Sequence, residues 1–151
     1  MTRFMMSLAD SVSLVEYAFE NAKQGDLFIK KAQSCTIRDL AQATINLFHS
    51  EAKIDVIGTR HAEKVSEALA TREELARAQD MGDYFRIPAD ARDLNYELYF
   101  NEGNPAQTQY EDYDSHTVER MTVTDVEDLL LTLPEVRHEL KIAGLPSERH
   151  S

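Results

Sequence analysis

Two basic residues and a histidine lie close together in an otherwise acidic chain, at Arg60, His61 and Lys64. They follow an apolar run over residues 53–58 that ends at Gly58. That run, the glycine and the good helix formers over residues 63–69 predict a strand, a turn and the start of a helix. Free N–H groups at a helix start favour an anion, and nearby cations strengthen that preference. The pattern therefore favours a site for an anion such as a pyrophosphate.

Pairing with neighbouring acids is the alternative role for these cations. Glu63 follows Arg60 by three residues, and Glu67 follows Lys64 by three. Exposed ion pairs of this kind are common on protein surfaces. Spacing alone does not separate a binding site from a set of surface ion pairs, so both interpretations stay open at this point.

Other residues of catalytic type lack the partners that catalysis needs. Cys35, the one cysteine, has no histidine placed beside it by the sequence, and is interpreted as a small, partly buried residue rather than a nucleophile. The histidines lack metal-ligand spacing, so no metal site is expected. Two sets of acidic residues could act as carboxylate pairs, but exposed acidic runs are usually solvated. They are Asp90 with Asp93, and Glu111 with Asp112 and Asp114. No glycine-rich phosphate turn and no Gly-x-Ser-x-Gly elbow occurs, so we expect no catalytic residue and no cofactor for the chain alone.

Capping patterns place four helices around this segment. Each pattern joins a hydroxyl residue to an acid three residues later: Ser7 with Asp10, Thr36 with Asp39, Thr71 with Glu74 and Thr124 with Glu127. Apolar residues at three- and four-residue steps then predict buried faces. These faces are Leu8, Val12, Val15, Phe19 and Ala22 on a core-facing first helix, Ile37, Leu40, Ala41, Ile45 and Phe48 on the second, and Val126, Leu129, Leu130 and Leu133 on the fourth. The third helix, through about Gln79, is charged and should be exposed, and Pro134 should start a fifth that ends by Gly144.

Short strands are predicted over residues 26–30 and 84–87, in addition to 53–58. Their alternation with helices predicts an α/β fold, as one domain over residues 1–145 with a frayed tail at 146–151. A loop rich in aspartate and aromatic residues runs from Pro88 to about Ser115. Its rings, Tyr96, Tyr99, Phe100, Tyr110 and Tyr113, could stack on a ligand, but anchoring of the loop onto the domain is the commoner role.

Composition limits the classes of partner. The 151 residues suit one domain, and a net charge of −11 would repel nucleic acid and anionic membranes. The longest apolar runs are only a few residues, and the amino terminus lacks the features of a secretory signal. We therefore expect a cytoplasmic protein without a membrane or nucleic-acid partner.

Several motifs in order resemble one protein family over nearly the whole chain. They are residues 1–6 (MTRFMM), 25–29 (GDLFI), 57–64 (IGTRHAEK), 81–88 (MGDYFRIP), 93–96 (DLNY), 113–116 (YDSH) and 119–120 (ER). Together they look like the carboxy-terminal part of bacterial capsule-type nucleotide-sugar epimerases and dehydratases. These are the CapD-like, UDP-glucose 4-epimerase-related members of the extended short-chain dehydrogenase/reductase superfamily.

The resemblance implies that this chain is the substrate-binding portion, without the Rossmann half. In the family, the amino-terminal Rossmann half holds NAD(P) and a Tyr-x-x-x-Lys pair, and the carboxy-terminal part closes over the UDP-sugar. By similarity, Arg60 would hold the pyrophosphate and Glu63 would meet the ribose or support Arg60, with Arg3 and Phe4 near the sugar or uridine. His61 and Lys64 complete the expected site. A guanidinium suits the pyrophosphate because its planar fork of donors can bind two phosphate oxygens.

The chain departs from the family pattern beside the expected site. Ala62 and Ser66 stand where the family usually has glycine and tyrosine, and Thr117-Val118 replaces a more usual Asn-Thr. If the glycine serves to adopt a positive φ, the Cβ of Ala62 would cost on the order of 1 kcal/mol or more. These departures fit relaxed constraint on a fragment.

Three functions follow as hypotheses. The first is a UDP-sugar-binding portion of an epimerase or dehydratase, encoded as a separate or truncated chain that needs a separate Rossmann-half partner. The second is a non-catalytic interaction module or gene remnant, prone to form homo-oligomers through exposed apolar surface. The third is a complete small enzyme that uses Arg60, His61 and Glu63.

Overall fold

Helices and strands alternate along the part of the chain that the structure, a computed structural model, describes: residues 1–89 and 111–148. In chain order they are β1 (Thr2–Phe4), α1 (Leu8–Asn21), β2 (Leu27–Lys30), β3 (Ser34–Thr36), α2 (Ile37–Leu47), β4 (Ala68–Ala70), α3 (Arg72–Leu75), β5 (Gln79–Asp80), β6 (Tyr84–Ile87), β7 (Tyr113–Asp114), α4 (Val123–Thr132) and α5 (Pro134–Ile142). The coarse prediction of a mixed α/β fold is confirmed. No helix in these two ranges is long and apolar enough to cross a membrane.

The predicted capping residues begin three of the helices. The Ser7 hydroxyl accepts a hydrogen bond from the Asp10 N–H, and the Asp10 carboxylate accepts one from the Ser7 N–H in return. Thr36 caps α2, and Thr71 forms the same reciprocal pair with Glu74 at the start of α3. Such a cap joins groups only three residues apart, so it is predictable without knowledge of the tertiary structure.

The carboxy-terminal helices follow the prediction except at one end. The cap of α4 is Thr122 with Asp125, so the prediction of Thr124 with Glu127 is wrong by two residues. Both pairs fit the sequence pattern, which alone does not choose between them. The predicted inward face is confirmed at Val126, which is fully buried, and Pro134 begins α5 as expected.

Three small antiparallel sheets connect distant parts of the chain. β1 pairs with β3, β6 lies between β2 and β5, and β4 pairs with β7. The predicted strands over residues 26–30 and 84–87 are confirmed as β2 and β6. The other strands are only two to three residues long and were not predicted, because their pairing depends on partners far away in sequence.

The turn from α1 into β2 is held by the close approach of Gly25 to Ala89 and by an ion pair. Gly25 has a φ of +82°, and a Cβ at this position would lie 2.8 Å from the Cβ of Ala89. The next residue, Asp26, accepts hydrogen bonds from Arg86 Nε and Nη2, each at 2.7 Å. The Arg86 guanidinium, with help from the Lys23 N–H, lowers the pKa of Asp26. These contacts fix the start of β2 against β6.

Two small clusters form the buried core of the described residues. The first joins β3, α2 and α4 through Cys35, Ala43 and Val126, with Met121 beside them. The second consists of Ile29, Ala70 and Ile87 and lies between β2, β4 and β6. Cys35 has no exposed surface, so the interpretation of this cysteine as a small core residue holds, with more complete burial than expected.

The first helix does not face a core. Its apolar stripe lies in solvent, with Leu8 80%, Val12 50%, Val15 53% and Phe19 86% exposed. The prediction of a core-facing helix is therefore wrong in this chain. Amphipathic spacing correctly located the apolar face, but it does not specify what covers that face.

The predicted strand over residues 53–58 is also absent. Residues 51–60 form no regular structure, and Val56 and Ile57 are 75% and 70% exposed. No helix forms over residues 63–69; this stretch instead leads into β4. β-branched residues satisfy strand propensity, but a strand also needs a neighbour for its backbone groups, and within the described ranges this segment has none. The third helix is also shorter than predicted, and ends at Leu75.

Candidate functional site

Arg60 lies at the first position of a tight turn. The Glu63 N–H donates to the Arg60 carbonyl oxygen at 3.1 Å, and Ala62 adopts a φ of +68° between them. The Glu63 carboxylate closes the turn from the other side, since its Oε2 accepts a hydrogen bond from the Arg60 N–H at 2.8 Å. Local hydrogen bonds therefore hold the turn, without a helix to support it.

The side chains of Arg60 and His61 take no part in the hydrogen bonds of this turn. Both residues are exposed, and neither side chain has a hydrogen-bond or ion-pair partner within residues 1–89 and 111–148. Glu63 supports Arg60 through the backbone and does not pair with its guanidinium. The alternative of simple ion pairing thus does not apply to Arg60 in this part of the chain. It applies to Lys64, whose Nζ lies 3.8 Å from Glu67 Oε2.

Arg3 connects β1 to the segment that carries Lys64. Its Nη2 donates to the Lys64 carbonyl oxygen at 2.9 Å and its Nη1 to the Thr2 carbonyl oxygen at 2.7 Å. Its Nε lies 3.8 Å from Glu67 Oε1. The structure therefore brings together Arg3 and Lys64, two of the predicted site residues, which are 61 positions apart in the sequence.

Phe4 belongs to an aromatic stack. Its ring lies parallel to Tyr113 with the centroids 5.5 Å apart, and Tyr113 meets Phe85 edge to face at the same distance. The Tyr113 hydroxyl donates to the Ala32 carbonyl oxygen at 3.1 Å, and burial raises the pKa of this phenol. Tyr113 thus anchors its loop, as interpreted from the sequence. The other aromatic residues of that loop, Tyr96, Tyr99, Phe100 and Tyr110, lie outside the described residues.

Structural roles account for three of the acidic and thiol candidates: Asp112, Asp114 and Cys35. Asp112 accepts a hydrogen bond from the Arg72 N–H, and Asp114 accepts bonds from the Ser66 hydroxyl and the His116 N–H. Asp90 and Asp93 lie outside the described residues. Burial, together with the negative charge of Asp39, raises the pKa of the Cys35 thiol, which opposes nucleophilic reactivity. Within the described ranges, no group of histidine, cysteine and carboxylate side chains could hold a metal ion.

Two residues that the sequence analysis did not select organise the region. Thr2 and Ser115 are both buried, and their hydroxyl groups lie 2.9 Å apart. Thr2 precedes Arg3 on β1, and the N–H groups of Thr2 and Ser115 donate to the carbonyl oxygens of Val65 and Glu67. Ser115 occurs in one of the motifs of the resemblance, but no pattern of types or spacing in the sequence marks it as a functional residue.

The arrangement suits recognition of an anion. It presents the exposed cations Arg60 and Lys64, with Arg3 beside Lys64, and no nucleophile or acid–base pair accompanies them in the described residues. A guanidinium and an ammonium bind phosphate oxygens through charge-assisted hydrogen bonds, which are the strong ones in proteins.

Comparison with known protein families gives two matches that are adjacent along the chain. Residues 1–89 match the family described as "Polysaccharide biosynthesis protein". Residues 90–137 match the family described as "Polysaccharide biosynthesis protein C-terminal". Together they include all of the predicted site residues.

Individual proteins give a consistent result. The proteins named UDP-glucose 4-epimerase from Rickettsia canadensis (strain McKiel) and Rickettsia rickettsii (strain Sheila Smith) are each 52% identical over 143 residues, which is 95% of this chain and 42% of theirs. Among solved structures, the X-ray structure of Pen from Bacillus thuringiensis is similar with a TM-score of 0.68 and 28% identity, over 87% of this chain and 37% of that one. The chain thus spans less than half the length of these relatives.

Proposed function

We infer the function of this chain from its family: it belongs to the polysaccharide biosynthesis proteins, and we propose that it forms the UDP-sugar-binding carboxy-terminal portion of a nucleotide-sugar 4-epimerase or 4,6-dehydratase. In this proposal the chain has the role of the substrate-binding portion of an extended short-chain dehydrogenase/reductase. It would serve the synthesis of a capsule or O-antigen polysaccharide, and it is not catalytically complete alone.

The observation that carries the proposal is the exposed guanidinium of Arg60. It stands on a turn whose backbone is already held by Glu63, and it has no partner in the described residues. Arg60 is therefore proposed to bind the pyrophosphate of the UDP-sugar, and Lys64 to add a second positive charge. Glu63 keeps the turn closed, so that the backbone at Arg60 does not have to be ordered on binding.

The remaining site residues are assigned to the rest of the ligand. Following the family resemblance, we assign Arg3 and Phe4 to the sugar or uridine side of the proposed site; Arg3 lies beside Lys64, and Phe4 follows it on β1. His61 lies next to Arg60 and would add a hydrogen bond to the phosphates. The Arg3 guanidinium has five N–H groups and donates two of them to carbonyl oxygens, so three remain for other acceptors.

NAD(P) does not fit the residues of this chain. The family resemblance implies this cofactor, but the sequence contains no glycine-rich turn between a strand and a helix to receive its pyrophosphate. We therefore assign no redox step to the chain. In the proposal, the cofactor and the proton-transferring residues belong to the portion of the relatives that this chain does not span.

Calorimetric titration of the purified chain with UDP and with UDP-N-acetylglucosamine tests the proposal. The Arg60→Ala variant should bind both ligands about ten- to a hundredfold more weakly, since a hydrogen bond to a charged group contributes roughly 1.5–3 kcal/mol. Arg137→Ala is the matched control, because it removes the same side chain from α5. Binding that is absent in the unmodified chain, or equal in the Arg60→Ala variant, would overturn the proposal.

A second candidate function is a non-catalytic interaction module. The apolar stripe of α1 favours it, since four of its residues are at least half exposed. In this case α1 would pack against another chain, either a separate Rossmann-half protein or a second copy.

A further inference from the structure

Ser115 lies fully buried where three separate stretches of the chain meet. Its Oγ accepts a hydrogen bond from the Glu67 N–H at 2.9 Å and lies 2.9 Å from Thr2 Oγ1 and 3.3 Å from the Thr2 carbonyl oxygen. A serine hydroxyl offers one donor and two acceptor sites, so these contacts use its whole capacity. The backbone adds a fourth bond, from the Ser115 N–H to the Glu67 carbonyl oxygen at 2.8 Å.

The same hydroxyl group joins the two segments that carry the basic side chains. On one side is Thr2, which precedes Arg3 and whose N–H donates to the Val65 carbonyl oxygen at 2.8 Å. On the other side is Glu67, whose carboxylate lies 3.8 Å from both Arg3 Nε and Lys64 Nζ. The relative position of Arg3 and Lys64 therefore depends in part on bonds that meet at Ser115, in addition to the direct bonds from Arg3 to Lys64 and from Thr2 to Val65.

We propose that Ser115 is a positioning residue of the anion site, which holds residues 64–67 against β1 so that Arg3 and Lys64 act on the same ligand. The inference rests on the proposed function, because it concerns the same UDP site. Ser115 has no exposed surface and so does not touch the ligand. It acts through Arg3 and Lys64.

Ser115→Ala tests the role, with Ser34→Ala as the matched control. Ser34 is also a fully buried serine, but its hydroxyl has no hydrogen-bond partner among the described residues. We expect Ser115→Ala to raise the Kd for UDP roughly tenfold and Ser34→Ala to leave it unchanged. Circular dichroism shows whether each variant is folded. Thr2→Val, which removes the partner hydroxyl and preserves the side-chain shape, repeats the test if Ser115→Ala does not fold.

A double-mutant cycle with Arg3→Ala distinguishes positioning from general loss of stability. If Ser115 acts through Arg3, the Ser115→Ala change should raise the Kd for UDP much less in the Arg3→Ala background than in the unmodified chain. An equal increase in both backgrounds overturns the inference, and so does an unchanged Kd in both Ser115→Ala and Thr2→Val. Absence of UDP binding by the unmodified chain overturns the proposed function and this inference together.

Discussion

Ala62 holds a backbone conformation that residues with a Cβ rarely adopt. Its φ of +68° completes the turn that presents Arg60. We expect Ala62→Gly to raise the free energy of unfolding by up to about 1 kcal/mol, because left-handed backbone costs an L-residue roughly 1–2 kcal/mol and the added freedom of the unfolded glycine offsets part of the gain. Urea unfolding measures the change.

Ala22→Gly is the control for Ala62→Gly. Ala22 is exposed and has an ordinary φ of −78°, so a glycine there should lower the free energy of unfolding. If Ala62→Gly is as destabilising as Ala22→Gly, the positive φ of Ala62 is not a source of strain.

Side-chain type alone predicted part of the candidate site. Arg60 and Lys64 could be selected from the sequence because two cations near a glycine are conspicuous in an acidic chain. The cost at Ala62 was expected from the family resemblance, since the family usually has glycine at this position. Ser115 and Thr2 could not be selected in this way. A buried hydroxyl group is recognised by the groups that surround it, and those come from positions more than a hundred residues apart.

Asp10 joins α1 to β2, in addition to its part in the cap of α1. The Lys30 ammonium on β2 donates to Asp10 Oδ1 at 2.5 Å, and the Ser7 hydroxyl donates to Oδ2. Lys30 first, and then Ser7, lower the pKa of Asp10 to about 2. In the unfolded chain an aspartate has a pKa of about 3.9. The stabilisation from ionised Asp10 is therefore complete above about pH 5 and is lost as the pH falls towards 2.

Asp10→Asn should accordingly lower the free energy of unfolding at neutral pH and have progressively less effect between about pH 5 and 2. Urea unfolding of both proteins across this range measures the difference. Lys30→Met keeps Asp10 but removes its main partner, so the pH dependence that is specific to Asp10 should be smaller in this background. A difference between Asp10→Asn and the unmodified chain that is constant with pH would contradict the assignment.

Elements that depend on neighbouring residues could be predicted from the sequence, whereas elements that depend on pairing with distant residues could not. The starts of α1, α2 and α3 were predictable because each depends on a cap only three residues long. β2 and β6 were predictable because apolar and aromatic strand-forming residues lie next to turn residues. The strand expected over residues 53–58 also contains strand-forming residues, but propensity does not provide a neighbouring strand. β1 and β7 are short and depend on pairing over long sequence distances, so the sequence did not indicate them.

The molecule as a whole presents an apolar face on α1 and a strongly negative charge. Burial of one large apolar side chain contributes about 1.5–3 kcal/mol, so contact between two α1 faces would favour self-association. A net charge of −11 on each copy opposes it. We expect a concentration-dependent equilibrium that shifts towards the associated form as salt screens the repulsion.

Phe19→Gln should weaken this association about tenfold or more, since Phe19 is 86% exposed and lies on the stripe. Sedimentation equilibrium at two salt concentrations measures the effect. Ile142→Gln is the control, because Ile142 is 68% exposed but lies on α5. An unmodified chain that stays monomeric at all concentrations, or an equal effect of both variants, would argue against α1 as the contact surface.

The burial of Cys35 between α2 and α4 has a consequence for how the core can be observed. The thiolate is the form that reacts with alkylating reagents, and burial both raises the pKa of this thiol and keeps reagents away from it. Reaction therefore requires these helices to separate. Since the chain has one cysteine, the rate of its alkylation reports how often this part of the native protein opens, at a single known position and without an added label.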